Sequence, residues 1–246
     1  MRLFDDIRSA IGLMTLLPVG DSGRPSRPVA WFPWVGWLFG VAALAVVSFA
    51  RYFIEGELAW LLVAVLVVTL WAVGSRLLHL DGLADTGDAI WGGYDPQRRL
   101  EIMRDSHTGA FGVAAVVFIV LLQIASIAVI ASSGGWWALG AAPVLGRFAA
   151  SVGVWSMPPA RHDGLAASVS SSPRFRDVLI AALAVGMVLV VPCPARIALV
   201  VFGSVAAFAT PRLLGRTVGG VTGDILGASV LLVETAVLVI AALMGV

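Results

Sequence analysis

The chain has 246 residues, of which 59% are hydrophobic and only 13% are charged, and its mean hydropathy is +0.97. Such a composition excludes an ordinary soluble domain and indicates that lipid is the solvent for most of the chain. The net charge of +1, without any basic run interleaved with aromatic residues, gives no sign of a nucleic acid partner. The single cysteine, Cys193, excludes an internal disulfide and a metal site built on thiolates.

The N-terminal segment is expected to form a short amphipathic helix that lies on the membrane surface. Phe4, Ile7, Ile11 and Met14 recur at spacings of three to four residues, which places them on one helix face. Two adjacent aspartates stand where a signal peptide would carry only basic residues, and no clear cleavage site follows.

Seven apolar stretches follow, and each is predicted to cross the membrane as a helix. They occupy about residues 31–50, 58–78, 110–131, 136–157, 178–192, 195–211 and 225–245. The fifth and sixth are short and could instead form a broken or re-entrant pair, so six or eight spans stay open. With no linker or internal repeat in view, residues 1–246 are treated as one integral membrane domain. The predicted fold is all-α: a polytopic bundle of about seven spans with an N-terminal interfacial helix.

The basic residues, which are all arginine, predict how these spans are oriented. With the N-terminus in the cytoplasm, thirteen arginines fall on the inside and only Arg51 and Arg196 on the outside, while Arg147 lies within a span. Because positively charged loops stay in the cytoplasm, the polar stretches 79–109, 158–177 and 212–224 are all predicted to lie on that side.

The polar stretch 79–109 carries the strongest chemical signal. Asp81, Asp85 and Asp88 are spaced so that they share one face of a helix, where like charges repel. A bound cation removes this repulsion, and carboxylate oxygens favour Mg²⁺ or Mn²⁺, whereas a solvated helix end is the plain alternative. Asp105, in a turn that contains glycine, is predicted to fold back as a fourth ligand. Two such segments suit a pair of divalent ions that clamp a phosphate.

The arginines of the same stretch have two interpretations. Arg98, Arg99 and Arg104 could bind the phosphate of a substrate, since the guanidinium group matches phosphate geometry. They could equally anchor the neighbouring spans to anionic lipid, and the sequence leaves both roles open. Further along, Asp224 stands among glycines just before the last span, which is a weak signal for a ligand site by itself.

Two charged residues lie deep within the predicted spans. Arg147 and Glu234 are each about ten residues from the cytoplasmic end of their span, hence ~15 Å deep. A charge at that depth is costly unless it is paired or hydrated. An ion pair between the fourth and seventh spans and a polar cavity that descends from the active site both account for them.

At this point the residues resemble a known family. The stretch HLDGLADTGD…RRLEIMRDSHTGAFG is similar to that of the cobalamin synthase family, the adenosylcobinamide-GDP ribazoletransferases. MTLLPVG, SRPVAWFPWVGWLFG, the Arg147 region, ARHDGLA and RTVGGVTGDILGA, with Glu234 behind it, follow in the family's order. The resemblance therefore covers nearly the whole chain.

The resemblance implies a membrane-embedded transferase of the bacterial inner membrane, dependent on Mg²⁺ (or Mn²⁺), whose active site faces the cytoplasm. It would join adenosylcobinamide-GDP to α-ribazole or its 5′-phosphate, giving adenosylcobalamin or its 5′-phosphate and GMP. The candidate catalytic and metal-binding residues are Asp81, Asp85, Asp88 and Asp105. The candidate substrate-binding residues are Arg98, Arg99, Arg104, Arg147, Arg161, Asp224 and Glu234. Membrane lipid is an expected partner, and a homo-oligomer stays open.

Two other classes of protein compete with this interpretation. An ion-coupled transporter would carry ionisable residues near the middle of the bilayer, as Arg147 and Glu234 predict, but the aspartates at the membrane edge suit catalysis better. An enzyme that transfers a phospho-alcohol into phospholipid also begins its motif with Asp-Gly. Its Asp-Gly-x-x-Ala-Arg pattern is absent here.

Overall fold

The computed structural model describes residues 2–19, 27–54, 56–169 and 172–246, and within them the protein is a bundle of helices. The helices are α1 (Arg2–Met14), α2 (Phe32–Ala50), α3 (Glu57–Gly74), α4 (Leu78–Gly92), α5 (Pro96–Ile102), α6 (Ala110–Ser133), α7 (Trp137–Ser156), α8 (Leu165–Val169), α9 (Phe175–Gly186), α10 (Pro194–Arg216) and α11 (Gly223–Leu243). Short 3₁₀ turns at Pro28–Trp31 and Met187–Leu189 lead into α2 and follow α9. The described residues form no β-strand, so the predicted all-α class is confirmed.

Five helices are long and apolar enough to cross a membrane: α6, α7, α10, α11 and α2 with its preceding turn. A sixth candidate is the pair α3 and α4, which is bent by 87°. Since α4 does not continue the line of α3, we treat it as the start of the polar insert. The predicted span 178–192 overlaps α9 (Phe175–Gly186), whose 12 residues are only ~18 Å long, short of a ~30 Å bilayer core. The exact number of spans therefore stays a prediction.

The bend between α3 and α4 comes from two residues in a left-handed conformation. Arg76 and Leu77 have φ angles of 56° and 59°, a region that non-glycine residues seldom adopt. A hydrogen bond from the Leu77 backbone N–H to the Ala72 carbonyl, at 2.8 Å, closes the end of α3. The chain thereby leaves the span abruptly and directs α4 against α6 and α11.

Helix α7 forms the centre of the bundle, between α2, α10 and α11. Glycines let α2 and α7 approach until their backbones touch. A Cβ atom on Gly36 would lie 2.6 Å from the Pro143 carbonyl oxygen, and one on Gly40 would lie 2.7 Å from the Gly140 Cα. Close approach through small residues replaces the hydrophobic driving force that helices lack within lipid.

The connecting segments meet at two opposite ends of the bundle. At one end the Arg51 guanidinium lies 5.3 Å from the Trp136 ring centroid, and Arg196 lies 5.0 Å from that of Trp137. At the other end, ion pairs join α1 to α9, the polar insert to the segment between α7 and α8, and that segment to the start of α11. The arginine-rich segments therefore share one end, as their composition predicts. Arg24, one of the thirteen predicted inside, lies outside the described residues.

Helix α1 lies against the bundle at this arginine-rich end. Ala10 and Met14 are buried, whereas Phe4 is 80% exposed. The buried Asp6 accepts a hydrogen bond from the Arg27 backbone N–H at 2.7 Å and pairs with Arg176 at 3.3 Å. The face of α1 that packs on the bundle is thus that of Asp6, Ala10 and Met14, and a position of this helix on the membrane surface stays a prediction.

We expect the arginine-rich end to face the cytoplasm, and the native cysteine allows a direct measurement. Cys193 lies between α9 and α10, at the opposite end of the bundle, and should react with a membrane-impermeant maleimide added to intact cells. With Cys193→Ser as background, Gln97→Cys, which is exposed in the polar insert, should react only after the membrane is permeabilised. Labelling of Gln97→Cys in intact cells would contradict the orientation.

Candidate functional site

Two glycines bring α4 against the start of α11 and so assemble the site. A Cβ atom on Gly82 would lie 2.7 Å from the Asp224 carbonyl oxygen, and one on Gly227 would lie 3.2 Å from the Leu78 carbonyl oxygen. Any larger side chain at Gly82 would push the two backbones apart. Gly82 thus allows Asp81 to lie beside Asp224, although the two aspartates are far apart in the sequence.

The carboxylates gathered in this way repel one another. The pKa of Asp85 is raised to about 7, first by burial and then by the charges of Asp224, Asp81 and Asp88. The positive charge of Arg161 opposes this rise. Mutual repulsion among acids is the electrostatic condition that a divalent cation would relieve.

Arg161 is held next to Asp224 by a short backbone bridge. The Ala160 N–H donates to the Val221 carbonyl and the Val221 N–H donates to the Pro158 carbonyl, both at 2.9 Å. The bridge leaves an Arg161 terminal nitrogen 3.1 Å from an Asp224 carboxylate oxygen. Among the described residues, the buried Arg161 Nε has no hydrogen-bond partner.

A cavity of about 160 Å³ lies where these segments meet. Its polar lining consists of Asp81, Arg161, Asp163, Thr222 and Asp224. It adjoins a wider surface depression of about 610 Å³, lined by residues 160–163 together with Gln97, Leu100, Glu101 and Arg104. Carboxylates beside an arginine at the polar end of the bundle suit the binding of a cation together with a phosphate.

Asp88 has a different environment from the other two aspartates of the predicted stripe. One of its carboxylate oxygens accepts the Gly109 N–H at 2.6 Å, and the other accepts the Gly112 N–H at 2.8 Å. Both oxygens are therefore engaged with the N-terminus of α6, whose first N–H groups have no partner within the helix. The structure shows Asp88 as a helix cap, and its role as a metal ligand stays a prediction.

Asp105 does not line the cavity. It is exposed and accepts hydrogen bonds from His107, at 2.6 Å from the ring Nδ1 and 3.0 Å from the backbone N–H. These bonds lower the pKa of Asp105 below its ordinary value. Throughout the described ranges, no three His, Cys, Asp or Glu side chains converge closely enough to hold a metal ion together. The donor chemistry of Asp81, Asp85 and Asp224 fits a divalent cation, but their spacing is looser than in a ligated set.

The three arginines of the insert have three different environments. Arg98 pairs with Glu101 at 2.9 Å, and both side chains are exposed. Arg99 donates to the Gly93 and Thr217 carbonyl oxygens, both at 3.0 Å, and so ties the insert to the end of α10. This structural role is one that neither sequence interpretation included. Arg104 lines the depression and therefore remains available to a ligand.

Comparison with known proteins identifies the family. The family model described as cobalamin-5-phosphate synthase matches residues 6–242, almost the entire chain. The chain belongs to this family. No solved structure matches it.

Several relatives named adenosylcobinamide-GDP ribazoletransferase align with most of this chain. The protein of Syntrophobacter fumaroxidans is 40% identical over 87% of this chain and 86% of its own length. That of Bradyrhizobium diazoefficiens is 38% identical over 96% of this chain and 93% of its own, and that of Frankia casuarinae 36% identical over 97% and 94%.

The deep charges form the predicted ion pair between α7 and α11. An Arg147 terminal nitrogen lies 3.1 Å from a Glu234 carboxylate oxygen, and the two side chains are 1% and 3% exposed. Gln123 of α6 donates to the other Glu234 oxygen at 3.2 Å, and the Arg147 guanidinium lies 4.1 Å from the Phe39 ring centroid. The ion pair is buried, and the cavity beside it has a volume of only about 20 Å³. A substrate contact for either residue stays a prediction.

Two residues of the site were not singled out by sequence reasoning. Thr222 caps α11, since its hydroxyl oxygen accepts the Ile225 N–H at 3.1 Å, and it also lines the cavity. A threonine directly before a long apolar run is a recognised helix-start signal and could have revealed it. Asp163 lines both the cavity and the depression, but nothing in its spacing marks it.

Proposed function

We propose that this chain is a Mg²⁺-dependent adenosylcobinamide-GDP ribazoletransferase. It would transfer the phospho-cobinamide group of adenosylcobinamide-GDP to a ribose hydroxyl of α-ribazole or its 5′-phosphate. The names of the relatives support the reaction. The observation that carries the proposal is the 160 Å³ cavity, where Asp81 and Asp224 lie beside Arg161 at the polar end of an apolar bundle.

The reaction is a single displacement at phosphorus. The attacking hydroxyl oxygen forms a new P–O bond to the phosphorus that carries the cobinamide arm. The bond from that phosphorus to the oxygen that bridges to the guanosine-bound phosphate breaks, and GMP leaves with the bonding electrons on this oxygen. The hydroxyl proton passes to a cavity carboxylate or to solvent, so that atoms and charge balance without a covalent protein intermediate.

The groups in and near the cavity have distinct parts in this scheme. Asp81 and Asp224, which line the cavity, and Asp85, whose charge interacts with both, would hold the metal, with Asp88 and Asp105 as the remaining predicted ligands. When bound, Mg²⁺ or Mn²⁺ neutralises diphosphate charge, lowers the pKa of the attacking hydroxyl and stabilises the leaving oxygen. Arg161, which lines the cavity, would bind the diphosphate and orient the phosphorus.

The membrane location and the polarity of the site are consistent with this proposal. The thirteen arginines predicted on the inner side support a cavity that opens to the cytoplasm, where nucleotide-activated substrates occur. The apolar outer surfaces of the spans would contact lipid of the inner membrane. The ion-coupled transporter gains no support from the deep pair, because Arg147 is paired with Glu234, and Glu234 also accepts a hydrogen bond from Gln123.

The proposal is tested by turnover of the purified protein in lipid nanodiscs. Adenosylcobinamide-GDP and α-ribazole 5′-phosphate should yield GMP and adenosylcobalamin 5′-phosphate in equal amounts. A chelator should abolish the reaction, and added Mg²⁺ or Mn²⁺ should restore it. Folded protein that releases no GMP with both substrates and Mg²⁺ would refute the activity, whereas turnover that resists chelation would refute only the metal requirement.

A further inference from the structure

We propose that the 610 Å³ depression beside the cavity binds the guanine base of the substrate, and that Asp163 and Arg104 read its edge. This inference rests on the proposed function, because the substrate carries the base only if it is a guanine nucleotide. It adds a specificity site that the catalytic aspartates and the diphosphate-binding Arg161 do not provide.

The position of the depression is the first argument. It shares Arg161 and Asp163 with the cavity, so a nucleotide whose phosphates lie at Arg161 extends into it without a break. The other flank of the cavity leads to a slot of only about 20 Å³. Leu13, Met14, Phe32 and Leu226 line that slot, which is too small and too apolar for a nucleoside. Of these two neighbours of the cavity, only the depression is large and polar enough for the base.

The chemistry of the lining is the second argument. Arg104 and Asp163 lie 3.5 Å apart, between guanidinium nitrogen and carboxylate oxygen, and so present donors beside an acceptor. Guanine presents the complementary row: the O6 acceptor next to the N1–H and N2–H₂ donors. Adenine reverses the first two positions, with an amino donor at C6 and an acceptor at N1. The same pair of side chains would accept guanine and oppose adenine.

The weakness of the existing contact is the third argument. Asp163 and Arg104 are 74% and 58% exposed, and their separation exceeds that of a good hydrogen bond. An exposed pair of this kind contributes little to stability, so exchanging it for a base costs little. By contrast, Glu101 on the same depression is already hydrogen-bonded to Arg98 at 2.9 Å.

The test compares nucleotide monophosphates as ligands of the purified protein. Equilibrium binding of GMP, IMP and AMP is measured in nanodiscs without the cobinamide substrate, for wild type, Asp163→Ala, Arg104→Ala and Glu101→Ala. Wild type should prefer GMP over AMP by roughly tenfold or more, with IMP between them because it lacks the N2 amino group. Asp163→Ala should abolish the preference for GMP over IMP, and Arg104→Ala should lower the affinity for GMP. Glu101→Ala should leave the ratio of the GMP and AMP affinities unchanged.

The outcomes separate this inference from the proposed reaction. An Asp163→Ala protein that keeps the wild-type GMP to IMP ratio overturns the guanine site, even if transfer proceeds normally. Loss of the preference in Glu101→Ala instead overturns the assignment to Asp163. A preference for GMP that depends on Asp163, in a protein that performs no transfer, would uphold the guanine site and refute the reaction. Because Asp163 is exposed, its truncation should leave thermal stability unchanged.

Discussion

Asp81→Asn and Asp85→Asn should each reduce transfer by roughly a hundredfold or more while the protein stays folded in the membrane. Asparagine keeps the shape of the side chain but removes the charge that a hard cation requires. Loss of a group that stabilises charge in the transition state costs about 10²–10³ in rate. The measurement is the initial rate of GMP release over a range of Mg²⁺ concentrations.

Asp95→Asn is the matched control, because it makes the same chemical change in the same insert. Its carboxylate caps α5 by accepting the Arg98 N–H at 2.9 Å, and asparagine caps a helix equally well. This variant should therefore retain near-normal activity. In the absence of metal, Asp81→Asn and Asp85→Asn should unfold at the same temperature as wild type or higher, since repulsion is relieved. Near-normal turnover of either at saturating Mg²⁺ would contradict the metal assignment.

The sequence predicted the features that depend on strong, additive physical effects. Hydropathy over about twenty residues predicts helices that cross lipid, and arginine asymmetry predicts which segments share an end. The ion pair of Arg147 and Glu234 could be predicted because an unpaired charge within the membrane is very costly, which favours pairing of two opposite charges at the same depth. These predictions did not require knowledge of the specific hydrogen-bond partner of any side chain.

The sequence could not predict which groups compete for a side chain. Helical spacing places Asp88 on the same face as Asp81, but it does not reveal that the N-terminus of α6 offers two unpaired N–H groups nearby. Arg99 likewise bonds to the Thr217 carbonyl, 118 positions away, and a backbone acceptor leaves no mark on the sequence. Such partners depend on tertiary packing.

Pairing of Arg147 with Glu234 predicts a non-additive loss of stability. Arg147→Met or Glu234→Gln alone should destabilise the protein by about 3–5 kcal/mol, because each leaves its partner as an unpaired buried group. The double variant should recover part of this loss, with a coupling energy of about 1–3 kcal/mol. Folded yield after detergent extraction and thermal unfolding measure all three variants. Arg98→Met with Glu101→Gln is the control cycle.

The control makes the depth of the pair the deciding variable. Arg98 and Glu101 are also an arginine–glutamate pair, with 2.9 Å between nitrogen and oxygen. Their side chains are 60% and 65% exposed, whereas those of Arg147 and Glu234 are 1% and 3% exposed. An exposed pair should show a coupling below about 1 kcal/mol. Equal coupling in both cycles, or strictly additive losses in the deep one, would contradict a stabilising buried pair. Transfer by the double variant then separates two roles: normal KM and kcat would make the pair purely structural, whereas a raised KM at recovered stability would support a contact with substrate.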